Sequence, residues 1–316
     1  MSGLIAVFQK ELADHLNSKR FIILLILFFL AAVLLTYFVT LPNIRGAATT
    51  GNQFIFLTLF TVSGDSPFNL LSFLYLFIPI VGIALGFDAV NSERTSGNLS
   101  RVLSQPLYRD SVINGKFLAG LATLSVLVVS MVVLVGGMGL RMIGVPPTAE
   151  EVLRLFAFIV VIIIYGAFWM SLAVLFSVFS KKIATSVLAS IALWIFLFIF
   201  VAMIARLIAG AVAPVDQNSS LDLVVRNDEI YRTISRISPS TLYSETVQVL
   251  LVPVMGSASS TLMLVSIYTG GMIPTPLPLG QSLLIIWPQL ISLIALTAIC
   301  FAASYIRFMR EEVRAT

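Results

Sequence analysis

The sequence predicts an all-α integral membrane protein. Six transmembrane helices are expected, with an amphipathic N-terminal helix in the interface, a short cytoplasmic helix after the second span, and a partly helical outer loop. Three observations carry this. Hydrophobic residues make up 59% of the chain. Charged residues make up 11%, where a soluble domain carries about a quarter. The apolar residues are also gathered into runs that reach the roughly 20 residues a helix needs to cross a bilayer.

The surplus of basic residues does not point to nucleic acid, because the bases sit in short turns between the apolar runs. Cys300 is the single cysteine and His15 the single histidine. No intrachain disulfide, no Cys/His metal site and no Cys–His nucleophile pair can therefore be assembled within one subunit. No catalytic residue and no metal ligand is expected.

The elements follow in order. Residues 1–18 form the interfacial helix. Leu4, Ile5, Phe8, Leu12 and Leu16 share one face, while Gln9, Lys10, Glu11 and Asp14 lie away from it, so the helix should lie in the inner interface. The first span, 21–41, follows Lys19-Arg20 and is read as retained rather than cleaved. The stretch Phe54–Val62 is too short to cross and is expected as an outer interfacial helix. Asp65-Ser66-Pro67 supplies a cap and a first-turn proline for the second span, 67–88. The third span is 112–141, with Asp110 as its expected cap. Thr148-x-x-Glu151 reads as a capping box opening the fourth, 151–179. The fifth is 183–212 and the sixth 281–307.

Between the last two spans lies an outer segment, 213–280. Leu221, Val224, Val225, Tyr231 and Ile234 are spaced for one apolar helical face, and Pro239 should stop that helix. Val247–Tyr268 is long enough to cross, but its proline, glycine and hydroxyl residues weaken it, and it is assigned to the outer segment. The domain reading is thus 1–18, 19–212, 213–280, and 281–316 with the last span and a cytoplasmic tail.

Orientation comes from the bases. With the N-terminus inside, the inner side receives every lysine in the chain along with Arg20, Arg94, Arg101, Arg109, Arg307, Arg310 and Arg314. Arg45, Arg141, Arg154 and Arg206 fall at the outer side or its margins. The chain is therefore read as multi-pass in the cell membrane, with both termini cytoplasmic. Within the spans, Gly82-x-x-x-Gly86 would let another helix approach closely, with a subunit interface as one possible use. Arg206, toward the outer end of the fifth span, is the candidate substrate-path residue.

The most unusual stretch is a polar island, Phe87–Lys116, between the second and third spans. Asn91 or Ser92 can cap a short helix, about 91–105, before Pro106 ends it. Leu99, Val102 and Leu103 give it an apolar side; Glu93, Arg94, Asn98 and Arg101 give it a polar one. Gly97 allows close approach of another backbone.

At these residues the chain resembles the permease subunits of type-2 ABC exporters. The pattern is a glutamate, a glycine, a short apolar helix, a Ser-x-Pro turn, a base and a Gly-Lys. Here it is carried by Glu93, Gly97, Leu99, Leu103, Ser104, Pro106, Arg109, Gly115 and Lys116. The N-terminal helix, the six spans and the long outer loop with Ser238-Pro239-x-x-Leu242-Tyr243 resemble the family as well. The outer loop is similar to that of the branch including sodium-extrusion, antibiotic-export and nitrous-oxide-reductase maturation permeases.

The resemblance implies an ATPase on a separate chain, and no G-x-x-x-x-G-K-[ST] loop occurs in this one. ATP and magnesium would be held by that partner, and this chain would bind no cofactor. The island would be the coupling helix that docks on the ATPase through Glu93, Arg94, Gly97, Leu99 and Arg101. Lys10, Lys181 and Lys182 would be secondary cytoplasmic contacts. Further expected partners are a second permease copy or a homologous one, the lipid bilayer, and an extracytoplasmic protein at 213–280. A channel-like or non-transporting membrane assembly is the alternative. An intramembrane hydrolase is disfavoured by the missing catalytic pairs.

Overall fold

A computed structural model describes residues 2–44, 54–62, 69–95, 108–144, 146–216, 219–252 and 277–310. Among them every regular element is helical and six helices are long and apolar enough to cross a membrane. The chain divides into two compact units. The first comprises Met1–Pro146, Ile162–Ile191 and Ile294–Thr316; the second comprises Pro147–Val161 and Ala192–Leu293.

In the first unit, α1 (Ser2–Leu16) leads through Ser18 into α2 (Lys19–Ile44). Ser18 Oγ accepts from the Phe21 amide and caps α2. A π-helical stretch, Leu35–Thr40, lies near the far end of α2, and Thr40 Oγ1 there donates to the Leu59 carbonyl at 3.3 Å. Leu59 belongs to α3 (Ile55–Thr61), whose Phe56, Leu57, Thr58, Leu59 and Phe60 are all buried. The helix is short, as expected, and packs on the protein through these residues. A Cβ added to Gly139 would sit 2.2 Å from Leu59 Cδ1, so α3 lies in a hollow that the glycines of the third span leave open.

The second span is α4 (Leu70–Gly86), and it starts later than expected. Asn69 caps it, accepting from the Ser72 amide at 2.8 Å; Asp65-Ser66-Pro67 lies outside the described residues. A short helix, α5 (Asn91–Thr95), follows, and the rest of the expected coupling helix also falls outside them. The third span, α6 (Arg109–Ile143), begins before Asp110, which sits in its first turn instead of capping it. Boundaries read from sequence carry that much play.

Within this unit α4 approaches α7 (Ala149–Phe179) closely. A Cβ on Gly82 would lie 2.7 Å from the Gly166 carbonyl oxygen, and one on Gly86 would lie 2.5 Å from that of Met170. The small-residue pair therefore serves a helix of the same chain. Trp169 and Tyr165 on α7 are fully buried, and Tyr165 Oη donates to the Tyr75 carbonyl at 3.2 Å.

In the second unit, α7 opens with the expected capping box. Thr148 N donates to Glu151 Oε2 at 2.8 Å, and Glu151 N donates back to Thr148 Oγ1 at 3.3 Å. The fifth span, α8 (Ile183–Val212), carries a π-helical stretch at Phe196–Phe200. The outer segment holds α9 (Leu221–Ser235) and α10 (Pro239–Leu251). Pro239 does not simply stop α9; it is the first residue of α10, where its missing amide hydrogen costs nothing. The sixth span is α11 (Leu279–Arg310).

Candidate functional site

Lys116, in the first turns of α6, is the centre of a polar cluster in the first unit. Its Nζ lies 3.0 Å from Glu11 Oε1 on α1 and 2.8 Å from Glu93 Oε1 on α5. The three side chains are 9%, 13% and 15% exposed, so the pairing is sheltered from solvent. One ammonium with three donors can serve two carboxylates at once, which joins three helices at one nitrogen.

Gly115, the residue before it, makes this possible. A Cβ there would stand 2.7 Å from Val7 Cγ1 and 3.3 Å from the Phe8 amide nitrogen, so only glycine lets α1 lie this close to α6. Val7 is buried against that groove, whereas Ile5 is 51% exposed. The apolar stripe expected on α1 is thus divided: its protein-facing edge is Val7 with Glu11, the residue that sequence reasoning placed on the solvent side.

The island is bound to α7 as well. Ser177 Oγ accepts from the Val90 amide at 3.0 Å and the Asn91 amide at 3.2 Å, so a side chain on one helix caps the start of another. Arg94 Nη1 donates to the Val178 carbonyl at 3.2 Å. Val90, Val112, Ile113, Val174, Val178 and Phe308 pack beneath these bonds. Arg20 pairs with Asp88 at the end of the second span and stacks over Phe87, its Cζ 5.3 Å from the ring centre.

A cavity of about 230 Å³ opens beside the junction. His15, Asp14, Arg20 and Asp88 line its polar part, and Leu24, Leu85 and Met170 its apolar part. Burial pushes the Glu11 carboxyl up, but the charge of Lys116 and hydrogen bonds from Lys10 and Lys116 outweigh it and hold the group below the usual carboxylate range. Burial lowers the His15 imidazole below its ordinary value of 6.5, more than Glu11, Asp88 and Asp14 raise it; Lys116 pushes the same way as burial. His15 is neutral near neutral pH.

The sequence-predicted residues are placed as follows. Glu93 and Arg94 both make contacts within the chain; Gly97, Leu99 and Arg101 lie outside the described residues. Lys10 is exposed and pairs with Glu11 and Asp14. Lys181 and Lys182 are exposed in the turn after α7. Gly82 and Gly86 hold α4 against α7. Arg206 is exposed, with its Cζ 5.6 Å from the ring centre of Tyr231 on α9. No cluster of metal-ligating groups occurs among the described residues.

Sequence reasoning missed Arg154. Its side chain is fully buried in the second unit, on the first turns of α7. Nη2 lies 2.8 Å from Glu150 Oε1, and Nε donates to the same oxygen at 3.1 Å. Nη1 donates to the Leu250 carbonyl at 2.9 Å and to Ser282 Oγ at 3.3 Å, and Nη2 also reaches the Leu277 carbonyl. Glu150 and Arg154 stand four residues apart on one helix. That spacing was the available signal for an ion pair, though not for the other three partners.

Comparison with known proteins places the whole chain. The chain is 29% identical over 151 residues to a Pseudomonas aeruginosa protein named "Probable ABC transporter permease protein NosY". The alignment covers 48% of this chain and spans about half, 49%, of that relative. The profile of a family described as "ABC-2 family transporter protein" matches residues 5–313. With Glu11, Glu93, Lys116 and all six spans inside that match, the chain belongs to the ABC-2 family of transporter proteins.

Proposed function

We propose that this chain is the membrane-spanning subunit of an ABC exporter. It would work with a second permease copy, identical or homologous, and with a separate ATPase chain holding ATP and magnesium. The observation that carries this reading is the Lys116 junction. A polar helix floating beside the membrane could not pass on a displacement. Here α5 is bonded to α7 through Ser177 and Val178, and to α6 and α1 through Lys116. A push on the island has a bonded path into a closely packed set of helices, which then move as rigid bodies.

In this reading Gly97, Leu99 and Arg101 form the ATPase-docking surface, and Glu93 and Arg94 transmit the displacement inward. Lys10, Lys181 and Lys182 are secondary cytoplasmic contacts. ATP drives the cycle because closed ATPase subunits favour one permease arrangement over the other; equal affinity for both would shift nothing. Both termini are cytoplasmic, 213–280 is extracytoplasmic and available to an outer partner, and the cargo is amphipathic or lipid-like.

The test is gentle purification from the protein's own cells. A co-eluting chain with a phosphate-binding loop is expected, and Glu93→Ala with Arg101→Ala should separate ATP hydrolysis from function. If no such chain associates and the double variant works normally, the reading fails and the channel-like assembly takes its place. A reporter fused at Asp216 should be outside and one at Arg101 inside; the reverse would overturn the orientation.

A further inference from the structure

We infer that Arg154 is a positioning residue that locks the start of α7, the end of α10 and the start of α11 into one rigid block, and that this block does not change its internal geometry during the transport cycle. The inference stands on bonding chemistry. A flexible ion pair needs one partner; Arg154 has a carboxylate, two backbone carbonyls and a hydroxyl, all around one fully buried planar group. Carbonyls do not titrate and their directions are set by the backbone, so the fork fits one arrangement of the three segments. Glu150 Oε1 also accepts from the Leu279 amide at 3.2 Å, closing a ring of bonds from α7 to α11 and back.

Spin labels at two exposed positions, Gln248 on α10 and Gln281 on α11, report the block directly in a Cys300→Ser background. A control pair at the exposed Ala13 and Tyr108 reports the first unit. The full-length protein, purified with its ATPase, should give one narrow Gln248–Gln281 distance that is the same without nucleotide and with trapped ATP. Arg154→Ala and Arg154→Lys should each broaden it roughly twofold or more, because an ammonium cannot form the fork, while the control pair stays narrow. The Glu245 link to Gln289, 3.2 Å, is left in place to hold α10 near α11 in these variants. Unchanged widths, broadening of both pairs alike, or a wild-type distance that shifts with ATP would each overturn the inference. The wild-type arm decides even if a variant cannot be purified. Absence of an ATPase would sink the exporter reading without touching the variant arm.

Discussion

Lys116, sheltered, and Arg154, fully buried, are both cations that join three chain segments, yet they make the joins with different chemistry. Lys116 bridges two carboxylates, Glu11 and Glu93, through a single nitrogen. Every partner it holds by charge can titrate, and the contact survives small rotations of the helices. Arg154 holds one carboxylate and then two main-chain carbonyls and a serine hydroxyl, through three nitrogens in a plane. The first is a joint, adjustable and sensitive to charge; the second is a pin. A helix that must accept a push needs the former, and a segment that must stay fixed needs the latter.

The largest expected effect breaks the pin. Arg154→Ala leaves two carbonyls and a serine without donors and Glu150 without its pair. Glu150 is 39% exposed and can turn to water, so the loss comes from the carbonyls deprived of this donor, about 1–3 kcal/mol for each, to be read by denaturation in mixed micelles. Acid should not rescue this variant, because the carbonyls do not titrate. Arg154→Lys should recover little, whereas Lys116→Arg, which asks only for charge between two carboxylates, should keep most of the stability. Equal losses from the two swaps would abolish the distinction between pin and joint.

A smaller effect of opposite pH sign tests the joint. In the wild type the Glu11 carboxyl is held below its usual range. Its contribution is present above the unfolded value of 4.5 and is lost as pH falls through the folded value. Lys116→Met removes the ammonium and leaves Glu11 facing Glu93. Two carboxylates sharing a sheltered site cannot both ionise, so at least one folded pKa now lies above its unfolded value. The variant should lose about 1–3 kcal/mol near neutral pH and regain part of it on acidification. A variant that only weakens further with acid would show that the carboxylates separate into solvent, and the three-helix joint would be lost as an idea.

The difference between joint and pin also marks what was legible in the sequence. The six spans were legible because a bilayer demands length and hydropathy, which are local. Thr148 and Glu151 were legible because a capping box is complete within four residues. The island drew attention as charge out of place, but its connections did not. Lys116 and Glu11 are 105 residues apart, and Arg154 and Ser282 are 128 apart. No local pattern joins them. The apolar stripe on α1 misdirected the reading for a physical reason: beside a membrane an apolar face need not pack on protein, and Ile5 is exposed, while the edge carrying Glu11 packs on α6. Likewise the sequence marks α3 as too short to cross, but not that its Leu59 packs on the open flank at Gly139.

The smallest expected effect concerns His15, which borders the joint without belonging to it. The groups around it are Glu11 and Asp14 on α1, Asp88 at the end of the second span, Arg20 on α2 and Lys116 on α6. Burial holds the folded imidazole below the ordinary 6.5, so the unfolded chain binds the proton first as pH falls. The stabilising contribution is thus present above 6.5 and is lost as pH falls below it toward the folded value. Protection of the α1 amides, corrected for the fall of the intrinsic exchange rate with pH, should drop in that window. His15→Gln should flatten the dependence there and leave the steeper loss at lower pH, where Glu11 gives up its charge. If the variant keeps the full dependence, the carboxylates alone govern the joint, and acid reaches α1 only through Lys116 and its two partners.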